Sequence, residues 1–204
     1  MDAVCLKKFK NLFAYLRMNK TADYLSFCKQ ISGTAGRAIF TNLVRASHGK
    51  LTIEVPQFHQ MNKFYKLIET IPKEILPKNC TVYRAVIVAP TFGDNSTILF
   101  PVPISTALNK YTAIVFLQGK SGILLKINTL DSTYLPTVGG QEDGEIILKP
   151  GFFTITKSHN NGTYIELEGT YESIELKNYR EILEAGVEDD LLTLRNDNLS
   201  DYVV

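Results

Sequence analysis

The stretch "ISTALNKYTAIVFLQGKSGILLKI", residues 104–127, contains the change of pattern that decides the fold class. An extended run comes first, a helical insert follows over "ALNKYTAIVFLQ", and "GILLKI" then has the composition of a strand. Further β-rich runs lie on both sides of this stretch, among them "TVYRAVIVA", "STILFPV", "GEIIL", "GFFTITK" and "TYIELEG". Glycine and asparagine turn signals separate these runs. We therefore predict a sheet-rich body over residues 76–178 with one helical insert.

The first 75 residues have helical periodicity instead. Apolar side chains recur three and four residues apart, which places them on one face of a helix. Four such sets are present: Phe9, Leu12, Phe13 and Leu16; Tyr24, Phe27, Cys28 and Ile31; Ile39, Phe40, Leu43 and Val44; Phe58, Met61, Phe64, Tyr65 and Ile68. Thr21 and Thr34 are predicted N-caps of the second and third helices, and Pro72 is predicted to end the fourth. Helices followed by strands predict an α+β fold.

The length and composition of the chain indicate one globular domain. The chain has 204 residues, of which 45% are hydrophobic and 21% charged. We predict a single domain over residues 1–204, with a helical front segment at 1–75, a β-rich core at 76–178 and an acidic carboxy-terminal segment at 179–204.

The charges are balanced overall but unevenly distributed. The chain has 22 basic and 21 acidic residues. Residues 1–50 carry nine basic and two acidic side chains, a net charge of +7, and residues 178–204 carry two basic and seven acidic ones, a net charge of −5. Solvated helix faces explain the basic segment, and docking on an acidic protein or on nucleic acid is the alternative.

The cysteine pattern bears on the compartment. The three cysteines are widely spaced, with no Cys-x-x-Cys pair: Cys5, Cys28 and Cys80. This predicts buried or free thiols in a reducing compartment, and neither a disulfide framework nor a zinc site.

The amino terminus mixes charged and apolar residues, so we expect no signal peptide, and no apolar run approaches the roughly 20 residues that span a bilayer. The prediction is a cytoplasmic protein that does not contact membranes.

Arg84 is the first candidate site residue. In a strand over "TVYRAVIVA", alternation puts Arg84 in one row with Val82, Val86 and Val88. A guanidinium among apolar side chains needs an anion, because desolvating it alone is very unfavourable. That anion is either a structural carboxylate or a phosphate or carboxylate of a ligand held by bidentate contact.

Two further polar sets lie next to predicted strands. Ser105 and Thr106 end an extended run just before the helical insert, where they are expected either to cap the helix or to orient a polar ligand. Asp143 and Glu145 are two residues apart at the entrance of "EIIL", so in a strand they share one face with Cα atoms roughly 6.5 to 7 Å apart. Either these acids lie in a solvated loop, or two carboxylates on one face serve an active site.

These three contexts, taken in order, resemble a known family. "LPKNCTVYRAV", then residues 104–127, then "EDGEIILKPG" is similar to the Arg-Ser-Glu class of mono-ADP-ribosyltransferases, the clostridial-toxin-like and phage enzymes. In that class the arginine follows an aromatic residue, as Arg84 follows Tyr83. A Ser-Thr-Ser motif ends a strand, and the catalytic glutamate closes an acid-x-Glu motif before an apolar strand. The likeness covers about residues 78–157 and implies amino-terminal helices packed on a core of two small mixed β-sheets.

The resemblance also implies the chemistry. It makes NAD the substrate without a metal, with the following catalytic residues: Glu145, Asp143 and Ser105. It gives these NAD-binding residues: Arg84, Tyr83, Ser105 and Thr106. The chain departs from the family pattern at Ala85, at Ala107 in place of the second serine, and at Asp143 in place of the first glutamate.

The implied reaction transfers ADP-ribose to a protein, with an arginine side chain as the favoured acceptor and release of nicotinamide. The small size and helical front end resemble phage enzymes that modify host transcription or translation proteins; an injected bacterial effector would look similar. Two alternatives stay open: an NAD glycohydrolase, for which water is the acceptor, and a non-catalytic binding module with the same fold.

Overall fold

The structure is a computed structural model that describes residues 3–19, 22–26, 55–87, 96–100, 103–130, 134–136 and 145–178. Its helices are α1 (Ala3–Asn19), α2 (Val55–Glu69) and α3 (Lys110–Val115), and residues 22–26 are also helical. Its strands are β1 (Thr81–Val86), β2 (Thr97–Phe100), β3 (Ile104–Ala107), β4 (Gly122–Thr129), β5 (Tyr134–Pro136), β6 (Glu145–Leu148), β7 (Gly151–Asn160) and β8 (Tyr164–Ser173). The predicted α+β fold is confirmed.

The described strands form one eight-stranded mixed sheet in the order β2-β7-β8-β4-β1-β3-β6-β5. Strands β4 and β8 run parallel, and the other described neighbours run antiparallel. The prediction of two sheets is therefore not confirmed. The groups β2-β7-β8-β4-β1 and β3-β6-β5 are joined through β1 and β3 at a single residue pair, Tyr83 with Ala107. This short junction is sufficient to make the two groups one hydrogen-bonded sheet.

The main core lies between α1 and one face of the sheet. Helix α1 buries Phe9, Leu12 and Leu16 at the predicted helical spacing, and Phe13 is half-buried beside them. On the sheet, every second residue of β1 is buried, as the alternation predicted. Val82 and Val86 belong to the main core cluster together with Phe9.

Helix α2 confirms the fourth predicted helix. It ends at Glu69, before Pro72, and it buries Phe64, Tyr65 and Ile68. The Tyr65 hydroxyl donates a hydrogen bond to the carbonyl oxygen of Ile174, so α2 is attached to the segment after β8. None of the described helices is both long and apolar enough to cross a membrane.

The second predicted helix is described only over residues 22–26, where Tyr24 is buried. Its cap Thr21 and the whole third helix with its cap Thr34 lie outside the described residues.

The prediction of free thiols is wrong for two of the three cysteines. Cys5 on α1 and Cys80, just before β1, form a disulfide across 75 residues of sequence. Both are buried in the main core, because the inward face of α1 lies on the start of β1. Wide spacing in sequence therefore said nothing about distance in the fold. Cys28 lies outside the described residues.

Candidate active site

Arg84 extends from the middle of β1, the strand at the junction of the sheet. Its side chain is 9% exposed. Its Nη1 donates a hydrogen bond of 2.9 Å to the carbonyl oxygen of Ser105 on the neighbouring strand β3. The guanidinium is thus held at the junction between β1 and β3.

Ser105 and Thr106 project to opposite faces of β3, as successive residues of a strand do. The Ser105 hydroxyl donates a hydrogen bond of 2.6 Å to Oε1 of Glu145. The buried Thr106 hydroxyl donates one of 2.7 Å to the carbonyl oxygen of Ile146. Ser105 therefore orients the glutamate, while Thr106 ties β3 to β6 from the core side.

The register between β3 and β6 explains why Ser105 reaches Glu145. Ser105 lies opposite Ile147, and Ala107 lies opposite Glu145. Serine and glutamate are therefore diagonal neighbours on one face, a separation that side chains can bridge. Glu145 is half-buried at the first position of β6. Asp143, the other predicted acid, lies outside the described residues.

Tyr83 lies on the same sheet face as Glu145. It pairs with Ala107, which in turn pairs with the glutamate, so the three residues form one row across β1, β3 and β6. The Cα atoms of paired residues on neighbouring antiparallel strands are about 4.5–5.5 Å apart. Two such steps place the Cα atom of Tyr83 roughly 10 Å from that of Glu145. The half-buried ring belongs to the small apolar cluster beneath α3.

Helix α3 is capped by Asn109 and not by the predicted hydroxyls. The Asn109 side chain accepts a hydrogen bond of 2.9 Å from the backbone N–H of Tyr111. Asparagine is among the best N-cap residues, and it stands directly before the helix. Ser105 and Thr106 lie within β3 instead, which leaves their hydroxyls for the contacts with β6. The capping interpretation is therefore wrong.

Two ion pairs that no sequence pattern predicted lie on the same side of the sheet as the small apolar cluster. Lys110, the first residue of α3, donates to the carboxylate of Glu166 on β8, and this hydrogen bond raises the pKa of Lys110. Lys126 lies opposite Tyr83 and pairs with Glu168 at 3.1 Å, which lowers the pKa of Glu168. The packing of α3 on the sheet and the pairing of β4 with β8 bring these charges together, and neither is visible in local patterns.

Three residues predicted from separate motifs thus lie next to one another on three adjacent strands. Arg84 on β1 contacts the backbone of Ser105 on β3, whose hydroxyl contacts Glu145 on β6. Across the described part of the chain, no three His, Cys, Asp or Glu side chains lie close enough together to hold a metal ion.

Several solved structures with this architecture are ADP-ribosyltransferase toxins. The Vis toxin of Vibrio splendidus, in complex with agmatine, has a TM-score of 0.59 at 13% identity, over 85% of this chain and 86% of that chain. C3larvin toxin of Paenibacillus larvae has a TM-score of 0.55 at 16% identity, over 81% and 93%. BECa of a binary enterotoxin of C. perfringens, solved with NADH, has a TM-score of 0.59 at 13% identity, over 83% and 48%, so this chain spans about half of it.

The chain has the fold of the ADP-ribosyltransferase toxins. The resemblance predicted from the three motifs is thereby confirmed at the level of the fold. No protein-family model matches the sequence, and no curated protein matches it. The fold therefore comes from the structural likeness, and the roles of the individual residues are proposals.

Proposed function

We propose that this protein is an NAD-dependent mono-ADP-ribosyltransferase that moves ADP-ribose to a protein side chain and releases nicotinamide. The observation that carries the proposal is the hydrogen-bonded series Arg84–Ser105–Glu145 across three neighbouring strands. It supplies a cation for the phosphates of NAD and an oriented carboxylate for the sugar, in the order that the Arg-Ser-Glu motifs predict.

Glu145 is the proposed catalytic carboxylate. Breaking the bond between ribose C1′ and the nicotinamide nitrogen leaves the electron pair on nicotinamide and develops positive charge on the sugar, as in glycoside hydrolysis. A carboxylate beside that sugar, hydrogen-bonded to its 2′-hydroxyl, stabilises the transition state more than the ground state. The half-buried position of Glu145 supports this role, because reduced solvent screening strengthens the attraction.

The neighbouring residues bind NAD and position the carboxylate. Arg84 has the planar fork that suits a pyrophosphate oxygen pair or the adjoining ribose. Ser105 fixes one oxygen of Glu145 through its 2.6 Å hydrogen bond. Tyr83, on the same face, is proposed to lie against the bound dinucleotide. The predicted contact of Thr106 with NAD stays a prediction, and its buried hydrogen bond supports a positioning role.

The acceptor is proposed to be an arginine of a protein. Its guanidinium nitrogen forms the new bond to C1′ and then loses a proton, and Asp143 is proposed to orient this group and receive the proton. Because a guanidinium has a very high pKa, the carboxylate acts by alignment and late proton removal. The agmatine bound by Vis carries the same guanidinium group, which supports this choice of acceptor.

The proposed site of action is the cytoplasm of a host cell, where transcription or translation proteins are the expected targets of a phage enzyme or bacterial effector. The Cys5–Cys80 disulfide adds a condition, because such bonds form and persist in oxidising environments. We therefore propose that the protein passes through an oxidising compartment before it acts.

The experiment measures transfer of biotin-tagged ADP-ribose from NAD to agmatine and to lysate proteins, with nicotinamide release assayed in parallel. Glu145→Gln keeps the shape of the side chain and removes its charge, so we expect nicotinamide release and transfer to fall by about 10²–10³-fold. Glu172→Gln is the matched control, because Glu172 is an exposed carboxylate on β8 of the same sheet. Equal activity of the two variants would contradict the assignment of Glu145.

The same assay separates the alternatives. Nicotinamide release without labelled agmatine or protein indicates a glycohydrolase, and no release by the wild type indicates a binding module. Asp143→Asn is expected to reduce transfer far more than NAD hydrolysis, and equal losses would count against its role toward the acceptor.

A further inference from the structure

Helix α3 has three large apolar side chains exposed to solvent. Tyr111 is 78% exposed, Val115 73% and Phe116, at the C-cap, 66%. Tyr111 and Val115 are four residues apart and therefore neighbours on one helix face, with Phe116 beside them. We call these three residues the α3 apolar patch.

The α3 apolar patch lies on the side of the helix that faces away from the sheet. The opposite side of α3 buries Ala113 and packs Ile114 against the small cluster on the sheet. The outer face of a surface helix is normally polar, and a contiguous exposed apolar face marks an interaction site. Packing within the described chain thus explains the inner side of α3 but not the patch.

The patch is close to the proposed catalytic carboxylate. Helix α3 packs on β1 and β3, the strands that carry Arg84 and Ser105. Ala107 pairs with Glu145, and Tyr111 follows Ala107 by four residues, which limits the distance between the Cα atoms of Ala107 and Tyr111 to about 14 Å. With one cross-strand step of about 5 Å added, the Cα atom of Tyr111 lies within about 20 Å of that of Glu145. A macromolecule that places a side chain at Glu145 therefore lies within contact range of the patch.

The charges around the patch indicate the chemistry of its partner. Residues 109–121 contain Lys110 and Lys120 and no acidic residue. Lys110 is paired with Glu166, whereas Lys120 is an exposed cation beyond the end of the helix. An apolar surface with an acidic side chain at its edge is complementary to this arrangement.

The size of the patch favours a transient partner over a second copy of the chain. A buried tyrosine or phenylalanine covers 150–250 Å², so the exposed parts of the two rings offer roughly 300 Å². A stable interface of standard size buries about 800 Å² on each partner. A membrane surface is also a poor match, because α3 has six residues and lacks the basic polar face of interfacial helices.

We propose that the α3 apolar patch is the docking surface for the acceptor protein, which presents an apolar surface edged by an acidic side chain. This inference rests on the proposed transferase function. It assigns the selection of acceptor proteins to α3, whereas NAD is cleaved at the site formed by Arg84, Ser105 and Glu145. Variants of the patch should lose protein acceptors and retain small ones.

The test uses the full chain with Tyr111→Gln and Val115→Gln combined, since glutamine favours helix and both sites are exposed. The matched control is Val4→Gln with Met18→Gln, two exposed apolar residues of α1. Biotin-tagged NAD is supplied with either agmatine or lysate proteins. We expect at least a tenfold loss of protein labelling in the α3 variant, with nicotinamide release and agmatine labelling within twofold of wild type. Lys120→Glu should also weaken protein labelling.

Several results would overturn the proposal. Unchanged protein labelling by the α3 variant would remove the docking role, and an equal loss with agmatine would place the patch in the NAD site. A dimer in light scattering that the variant abolishes would identify a second copy as the occupant. Flotation of the wild type with anionic vesicles, lost in the variant, would identify a lipid surface. A wild type inactive with both acceptors would overturn the transferase function itself, and with it this inference.

Discussion

The disulfide between Cys5 and Cys80 should supply a large part of the stability of the fold. The two cysteines are 75 residues apart, and cross-linking a loop of that length lowers the entropy of the unfolded chain by the equivalent of about 4.5 kcal/mol at 25 °C. Domains of this size have total stabilities of roughly 5–15 kcal/mol. Loss of the cross-link should therefore remove about 30% or more of the free energy of unfolding.

The perturbation is the double variant Cys5→Ala with Cys80→Ala, compared with the wild type in its oxidised and fully reduced forms. Reduced protein is prepared by unfolding with dithiothreitol and refolding with the reductant present, because both sulfurs are buried. Circular dichroism then follows thermal unfolding. A loss of about 4.5 kcal/mol corresponds to a fall in Tm of about 9–18 °C for a chain of this length.

NAD cleavage should survive this change below the lowered Tm. Cys80 is also held by Thr129, whose backbone N–H donates to the Cys80 carbonyl oxygen at 3.0 Å and whose hydroxyl donates to it at 2.9 Å. The start of β1, and with it Arg84, is thus anchored without the disulfide. We expect nicotinamide release at 20 °C within a few-fold of the oxidised protein.

The control is the double variant itself, whose Tm should not respond to the reductant. If oxidised and reduced wild type unfold at the same temperature, with the redox states verified by mass spectrometry after alkylation, the chain-entropy argument is wrong. Free thiols in protein purified without reductant would instead refute the bond and restore the prediction of a reducing compartment.

Three other predictions concern the site and its scaffold. Ser105→Ala removes the donor to a carboxylate, a bond of about 1.5–3 kcal/mol, so nicotinamide release should fall about 10–100-fold at a temperature where the variant is folded; a change below twofold would refute the positioning role. Lys126 lowers the pKa of Glu168 below its ordinary value of 4.5, so the pair stabilises the fold above that pH and its contribution is lost as the pH falls through the lowered value. The loss should be at most about 1 kcal/mol, measured by urea unfolding, and Lys126→Met should reduce it, with the smaller effects of Asn128 and Lys157 remaining. Gly122→Ala should destabilise by about 1–3 kcal/mol in the same assay, because a Cβ would lie 2.4 Å from the Val86 carbonyl oxygen; an unchanged midpoint would contradict this.

Local sequence patterns predicted the helices and strands that bury one face in the core. The spacing of Phe9, Leu12 and Leu16 predicted the buried face of α1, and alternation predicted the buried position of Arg84. These periodicities are properties of a single element, so one sequence is enough to show them.

Such patterns could not predict contacts between elements that are far apart in the sequence. Nothing in the spacing of Cys5 and Cys80 indicates that α1 crosses the start of β1. The single-pair junction that makes one sheet of two strand groups is equally invisible, because it depends on which strands become neighbours. The cap of α3 is different, because an asparagine directly before a helix is a local signal that the sequence already contains.

The geometry of the proposed site follows from the packing of the core on the other side of the same strands. Alternation on β3 and β6 sends Ile104, Ile146 and Leu148 into the main cluster and turns Ser105 and Glu145 to the opposite face. A slip of one residue would exchange the faces of β6, burying the glutamate among apolar side chains. It would also expose Ile146 and Leu148, each worth roughly 1.5–3 kcal/mol of burial. The hydrophobic face of β6 therefore holds the Ser105–Glu145 contact in place more strongly than that single hydrogen bond does. We therefore expect that Glu145, the proposed catalytic carboxylate, can be exchanged for glutamine without loss of the fold, whereas polar substitution of Ile146 should disrupt both the fold and the Ser105–Glu145 contact.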